Sequence, residues 1–78
     1  MTRFYFHVYD DEITMDSEGE SFSSASLARS HAIEAIRCMA AANVSAGHLT
    51  GSHRIEISEA GVEGVQTVRF DEAITIRP

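Results

Sequence analysis

The groups in this sequence able to do chemistry are His7, His31, His48 and His53, the lone Cys38, and an acidic run of Asp10, Asp11, Glu12, Asp16, Glu18 and Glu20. A zinc centre needs three or four such side chains converging on one point. His48 and His53 flank Gly51 in a loop, Cys38 falls within a helical stretch, and no ligand spacing emerges. The two loop histidines read as solvated. A calcium loop needs alternating oxygen ligands, with glycine sixth and a bidentate Glu twelfth. Starting at Asp10 or Asp11 puts Met15 or Asp16 where the glycine belongs, so the acidic run reads as a solvated turn. A Cys–His nucleophile pair needs the base within hydrogen-bonding reach. Cys38 lies about four turns into its helix, with His31 roughly 10 Å away along the axis. The glycine patterns of phosphate-binding and dinucleotide-binding loops and of hydrolase nucleophile elbows are absent; Gly47, Gly51, Gly61 and Gly64 fit turns. The reading assigns no catalytic residue, no cofactor and no metal, and expects no enzyme.

Charge narrows the partners. Twelve acidic against six basic residues give a formal charge of −6, and none of the basic residues is lysine. That is the wrong sign for non-specific grip on phosphates, so nucleic acid is not the expected partner. It suits solubility, or a protein partner with a basic patch. A single cysteine excludes an intramolecular disulfide and a disulfide-stapled scaffold. The apolar run at the N-terminus is short, contains His7 and meets three acidic residues directly, unlike a secretory signal. No segment approaches the ~20 apolar residues of a membrane span. A soluble, cytoplasmic protein with no membrane partner is expected.

The elements that must position these groups can be read from periodicity. Arg3–Tyr9 alternates like a strand, with Phe4, Phe6 and Val8 on one face and Tyr5, His7 and Tyr9 on the other. Ile13-Thr14-Met15 predicts a short second strand in a hairpin. Gly19 allows a turn, and Glu20-Ser21-Phe22 leads toward a helix spanning about Ser24 to Ala46. Ser23 or Ser24 is the expected N-cap and Gly47 the stop. Ala25, Ala32, Ile33, Ile36, Met39, Ala40 and Val44 form an apolar stripe at helical spacing, expected to pack through Ile33, Ile36 and Met39 on Phe4, Phe6 and Val8. Around Cys38 to Ala42 the helix is apolar nearly all round, which offers a second surface to be covered. Ile55 and Ile57 point one way along a third strand, with Arg54, Glu56 and Ser58 pointing the other. A glycine-containing connection over 59–64 leads to a strand over Val65–Phe70. Asp71-Glu72-Ala73 reads as a helical turn, after which Ile74 and Ile76 pack the tail back.

A single helix covers only one face of a small sheet. The opposite face carries Tyr5, His7 and Tyr9 beside Arg54 and Glu56, and this is the candidate interaction surface. Aromatic rings on an open sheet also suit stacking on single-stranded bases, but the acidic charge ranks a protein partner or a homodimer first.

Arg3-Phe4-Tyr5-Phe6-His7-Val8, then Asp16-Ser17-Glu18-Gly19, then Ala28-Arg29, Ala32 and Ala35, then Arg54-Ile55-Glu56-Ile57, then Phe70-Asp71-Glu72-Ala73: this order resembles a family of short rhizobial and alphaproteobacterial proteins catalogued as a domain of unknown function. The resemblance covers nearly the whole chain. It implies a bacterial cytosolic protein of β-β-α-β-β type and carries no catalytic residue across. The family often has a glycine in the first turn, where this chain has Asp11. The expectation is one α+β domain over residues 1–78: a small antiparallel sheet of three to five strands with one long helix on one face. Its expected role is a non-enzymatic, self-associating interaction or regulatory module. The alternative is a small nucleic-acid-linked regulator resembling an antitoxin component, by analogy of size and fold alone.

Overall fold

The computed structural model describes Met1–Pro78. In chain order it holds β1 (Thr2–Tyr9), β2 (Ile13–Thr14), β3 (Glu20–Phe22), α1 (Ala25–Ser45), β4 (Arg54–Glu59), β5 (Gln66–Arg69) and the single-turn α2 (Phe70–Ala73). The sheet runs β2-β1-β4-β5, and β3 also pairs with β1. Every pairing is antiparallel. The α+β class and the helix-on-sheet arrangement are as the periodicity predicts. No helix is long and apolar enough to cross a membrane.

One difference concerns the second strand. Glu20–Phe22 does not merely lead into the helix; it returns to β1 as β3. Val8 pairs with Thr14 and Phe4 with Glu20, so the five residues 15–19 pass the three residues Tyr5, Phe6 and His7. β2 and β3 are thus one interrupted strand whose middle bulges off β1. The β1–β2 turn closes through the Asp10 N–H to the Glu12 carbonyl at 3.1 Å and the Glu12 N–H to the Asp10 carboxylate at 2.9 Å. No non-glycine residue has a positive φ. Asp11 therefore serves here without a glycine, because this turn needs no left-handed residue.

The helix is bounded as its end residues dictate. The Ser24 hydroxyl accepts from the Leu27 N–H at 3.2 Å, supplying one of the free donors of the first turn. At the other end Gly47 takes φ +94. Its N–H donates to the Val44 carbonyl and the His48 N–H to the Asn43 carbonyl, the paired closure of a Schellman motif. Ala28, Ala32, Ile36 and Ala40 are buried at four-residue steps. Their small size lets the helix lie close on Phe4, Ile55, Ile57 and Val68, with Phe70 and Ala73 closing the core. Phe6, Val8, Ile33 and Met39 pack at its margin, half-buried.

Ala25 and Val44, expected in the stripe, are exposed. The cause is length. Twenty-one helical residues span about 31 Å, whereas the six residues of β4 span about 20 Å. The helix outruns β4, and Val44 lies in its last turn beside an open groove lined by Leu49 and Ile74. The tail differs too: Ile74 packs on the core but Ile76 is 83% exposed.

Candidate interaction face

Register places the candidate residues together. Tyr5 lies opposite Ser58, His7 opposite Glu56 and Tyr9 opposite Arg54. Glu56 in turn faces Thr67, and Arg54 faces Arg69. Residues directly opposite share a face, so Tyr5, His7, Tyr9, Arg54 and Glu56 line one surface, away from α1. Ile13 joins them as the partner of Tyr9 and is 65% exposed. The Arg54 guanidinium lies 4.2 Å from the centre of the Tyr9 ring, a cation–π distance, and its Nε donates to Glu56 at 2.9 Å. The Arg54 guanidinium thus packs on the Tyr9 ring while its charge is matched by Glu56 of the same strand.

His7 is held from both sides. The Asp16 N–H donates to His7 Nδ1 at 3.1 Å, and His7 Nε2 lies 3.1 Å from Ser58 Oγ. A backbone N–H can only donate, so Nδ1 carries no proton. In the neutral ring the proton sits on Nε2 and is donated to Ser58. A general base for serine needs the opposite arrangement, with Nε2 free to accept. This serine–histidine contact is therefore set for holding the face together, not for drawing a proton from Ser58.

Asp16 is the residue that fixes this side of the face. One carboxylate oxygen accepts from the Phe6 N–H at 3.0 Å, filling the gap in the β1 ladder where the chain bulges away. The other accepts from Glu18 and Gly19, at 3.1 and 3.0 Å. The Gly19 and Phe6 N–H groups hold its carboxyl below the ordinary aspartate range. Gly19 must be glycine: at φ +70, a Cβ would stand 2.6 Å from the Phe4 carbonyl and 2.9 Å from the Tyr5 ring. Arg3 closes the loop by donating to the Glu18 carbonyl at 2.7 Å. Asp16 and Ser58 were not among the candidate residues. An Asp followed three residues later by Gly is the signal of an Asx-type turn, and Ser58 follows Arg54 and Glu56 at period two.

The remaining chemical groups are dispersed. His31 is on the helix, edge-on to Phe6 at 5.0 Å and tilted against Phe22 at 5.2 Å. His53 differs from the solvated loop residue expected. Its side chain is 11% exposed, it packs edge-on against Phe70, and its Nε2 is 3.5 Å from Asp11. Its Nδ1 is buried without a partner. His48 and Cys38 are exposed. No three His, Cys, Asp or Glu side chains gather as a metal-holding group. On the far side of the molecule, a groove of about 680 Å³ runs between the C-terminal half of α1 and the tail; Ala41, Val44, Leu49 and Ile74 line it with Arg37 and Arg77.

Compared with known protein families, residues 3–71 match the family described as Domain of unknown function (DUF6894). No curated protein and no solved structure matches the chain.

Proposed function

Since the chain belongs to the DUF6894 family, whose description assigns no activity, we propose from its surface that it is a non-enzymatic protein-interaction module that docks a protein partner, a second copy in the simplest case, on its open sheet face. The observation that carries this reading is the pre-ordered state of that face. Tyr5 and Tyr9 offer large contact area at low entropic cost. Tyr9 is clamped by Arg54, and His7 by Asp16 and Ser58. Ordering these side chains before contact reduces the loss of freedom on binding. The face is also wet enough to be stable alone, with Glu56 and Arg54 satisfying each other.

Its charges favour protein over nucleic acid. Arg54 is held by Glu56 and Arg69 by Asp71, and Arg3 is tied to the Glu18 carbonyl. A strand of phosphates would find only Arg3 without a carboxylate partner among them and a −6 chain behind them. A bacterial, alphaproteobacterial origin and a cytoplasmic location belong to the same reading and rest on the resemblance of the residues. The test is Tyr5→Glu with Tyr9→Glu. Both positions are half-exposed, so the variant keeps its fold by circular dichroism but loses the association made through this face. Unchanged association, in mass and in partner capture, would remove the open face from the account.

A further inference from the structure

The six arginines divide unevenly. Arg29, Arg54 and Arg69 are paired with Glu72, Glu56 and Asp71. Arg3 is bound to the Glu18 carbonyl. The other two, Arg37 and Arg77, have no carboxylate partner, and both line the 680 Å³ groove. Arg37 donates only to the Ala73 carbonyl, at 3.1 Å. In a chain with twice as many acids as bases, one apolar groove therefore holds two of the three arginines that no carboxylate neutralises, the third being Arg3 on β1. Its walls are half-finished: Val44 is 60% exposed, where the helix has outrun β4.

The complement of that groove is elsewhere on the same chain. The β1–β2 hairpin carries Asp11, 85% exposed at its side chain, and Glu12. Directly after them come Ile13 and Met15, 65% and 62% exposed. Two carboxylates followed by two large apolar side chains match two arginines beside an apolar trough. We infer that the β1–β2 hairpin of one copy seats in the α1–tail groove of a second copy, with Asp11 and Glu12 meeting Arg37 and Arg77 and with Ile13 and Met15 covering Val44, Leu49 and Ile74.

Topology makes the contact reciprocal. Tyr9 pairs with Arg54, the first residue of β4, and Asp11 reaches His53. The loop from the end of α1 to β4 contains Leu49. Hairpin and groove thus lie at the same end of the molecule. A two-fold axis at that end lets each copy fill the other's groove, so the contact closes as a dimer. It uses the groove on the helix side and, through Ile13, only the Tyr9 edge of the open sheet face, leaving Tyr5 and His7 uncovered. The inference therefore goes beyond the docking reading above and stands or falls separately from it.

The experiment removes the sheet face first and then exchanges charge. All variants carry Tyr5→Glu; Tyr9, the strand partner of Ile13, is left unchanged so that the hairpin is not disturbed. One adds Ala41→Glu and Arg77→Glu, which makes the groove acidic while keeping the Arg37 bond to Ala73. Another adds Asp11→Arg and Glu12→Arg, which makes the hairpin basic while keeping Asp10, whose carboxylate holds the turn. Circular dichroism and melting confirm that each is folded. Sedimentation should show a dimer for the Tyr5→Glu variant, at least tenfold weaker dimerisation for each charge variant alone, and restored dimer when the two are mixed. Mixing restores both contacts at once, acidic groove on basic hairpin and basic groove on acidic hairpin, which a misfolded chain could not do. A monomeric Tyr5→Glu variant overturns the inference and leaves the sheet-face reading standing, provided the unmodified chain associates. Charge variants that dimerise undiminished, or a mixture that stays monomeric, overturn the hairpin as occupant.

Discussion

Replacing Asp16 by Asn changes one atom of the side chain and removes one of its two acceptors. The carboxylate uses both oxygens: one for the Phe6 N–H, the other for Glu18 and Gly19. An amide has one oxygen and one NH₂. Whichever way it is turned, a donor faces a donor. A hydrogen bond to a charged group contributes about 1.5–3 kcal/mol, and Asp16 is only half-buried, so the loss should be about 2 kcal/mol. In a domain of this size each kcal/mol moves the midpoint by about 4–8 °C, which gives a fall of about 8–16 °C at pH 7. The pH dependence follows from the sign of the shift. Folding lowers the Asp16 carboxyl below its ordinary 3.8, so the unfolded chain takes up the proton first. The stabilisation is complete well above 3.8 and is lost as the pH falls through 3.8 toward the folded value. The gap in melting temperature between the wild-type chain and Asp16→Asn should therefore narrow from pH 7 to pH 2.5. Asp71, also lowered by its Arg69 partner, is common to both chains and cancels. Melts that coincide at pH 7, or a gap that is the same at both pH values, would refute the role given to Asp16.

Ile36 is wholly buried, so Ile36→Ala should cost about 2–4 kcal/mol; an unchanged midpoint in chemical or thermal denaturation would contradict its packing on the sheet. Gly19→Ala should cost at least the ~1–2 kcal/mol of a left-handed non-glycine residue, with the clash against the Phe4 carbonyl added, read from the same melts; a neutral result would contradict the close approach of Gly19 to β1. Generic single- or double-stranded nucleic acid should show no micromolar binding at moderate salt by fluorescence titration, and salt-sensitive micromolar binding would reverse the order of the two functional readings.

Much of the fold is legible because its signals are local. The alternation in Arg3–Tyr9 and Arg54–Glu59 assigns the two long strands and separates their faces. Ser24 and Gly47 bound the helix. The candidate face follows directly, since one helix cannot cover both sides of a sheet. What escapes local reading is the relation between elements. β3 is only three residues long and lacks a period of its own; its pairing depends on Asp16 bridging the bulge. The exposure of Val44 depends on the helix being longer than the strands it crosses. The burial of His53 depends on Phe70, which is seventeen positions later in the chain. The groove exists only because α2 and the tail return alongside α1, so Arg37 and Arg77 give no sign in the sequence of sharing a site.

The open face is the centre of the account, and its most direct test is sedimentation equilibrium of the unmodified chain beside Tyr5→Glu/Tyr9→Glu, over a wide concentration range and with melts as a control of fold. The unmodified chain should associate, and the tyrosine variant should stay folded and reach a lower mass at the upper end of the concentration range. A variant of the same mass as the unmodified chain throughout, retaining every protein partner captured from the native cell, would contradict it and leave Tyr5, His7 and Tyr9 as ordinary solvated surface.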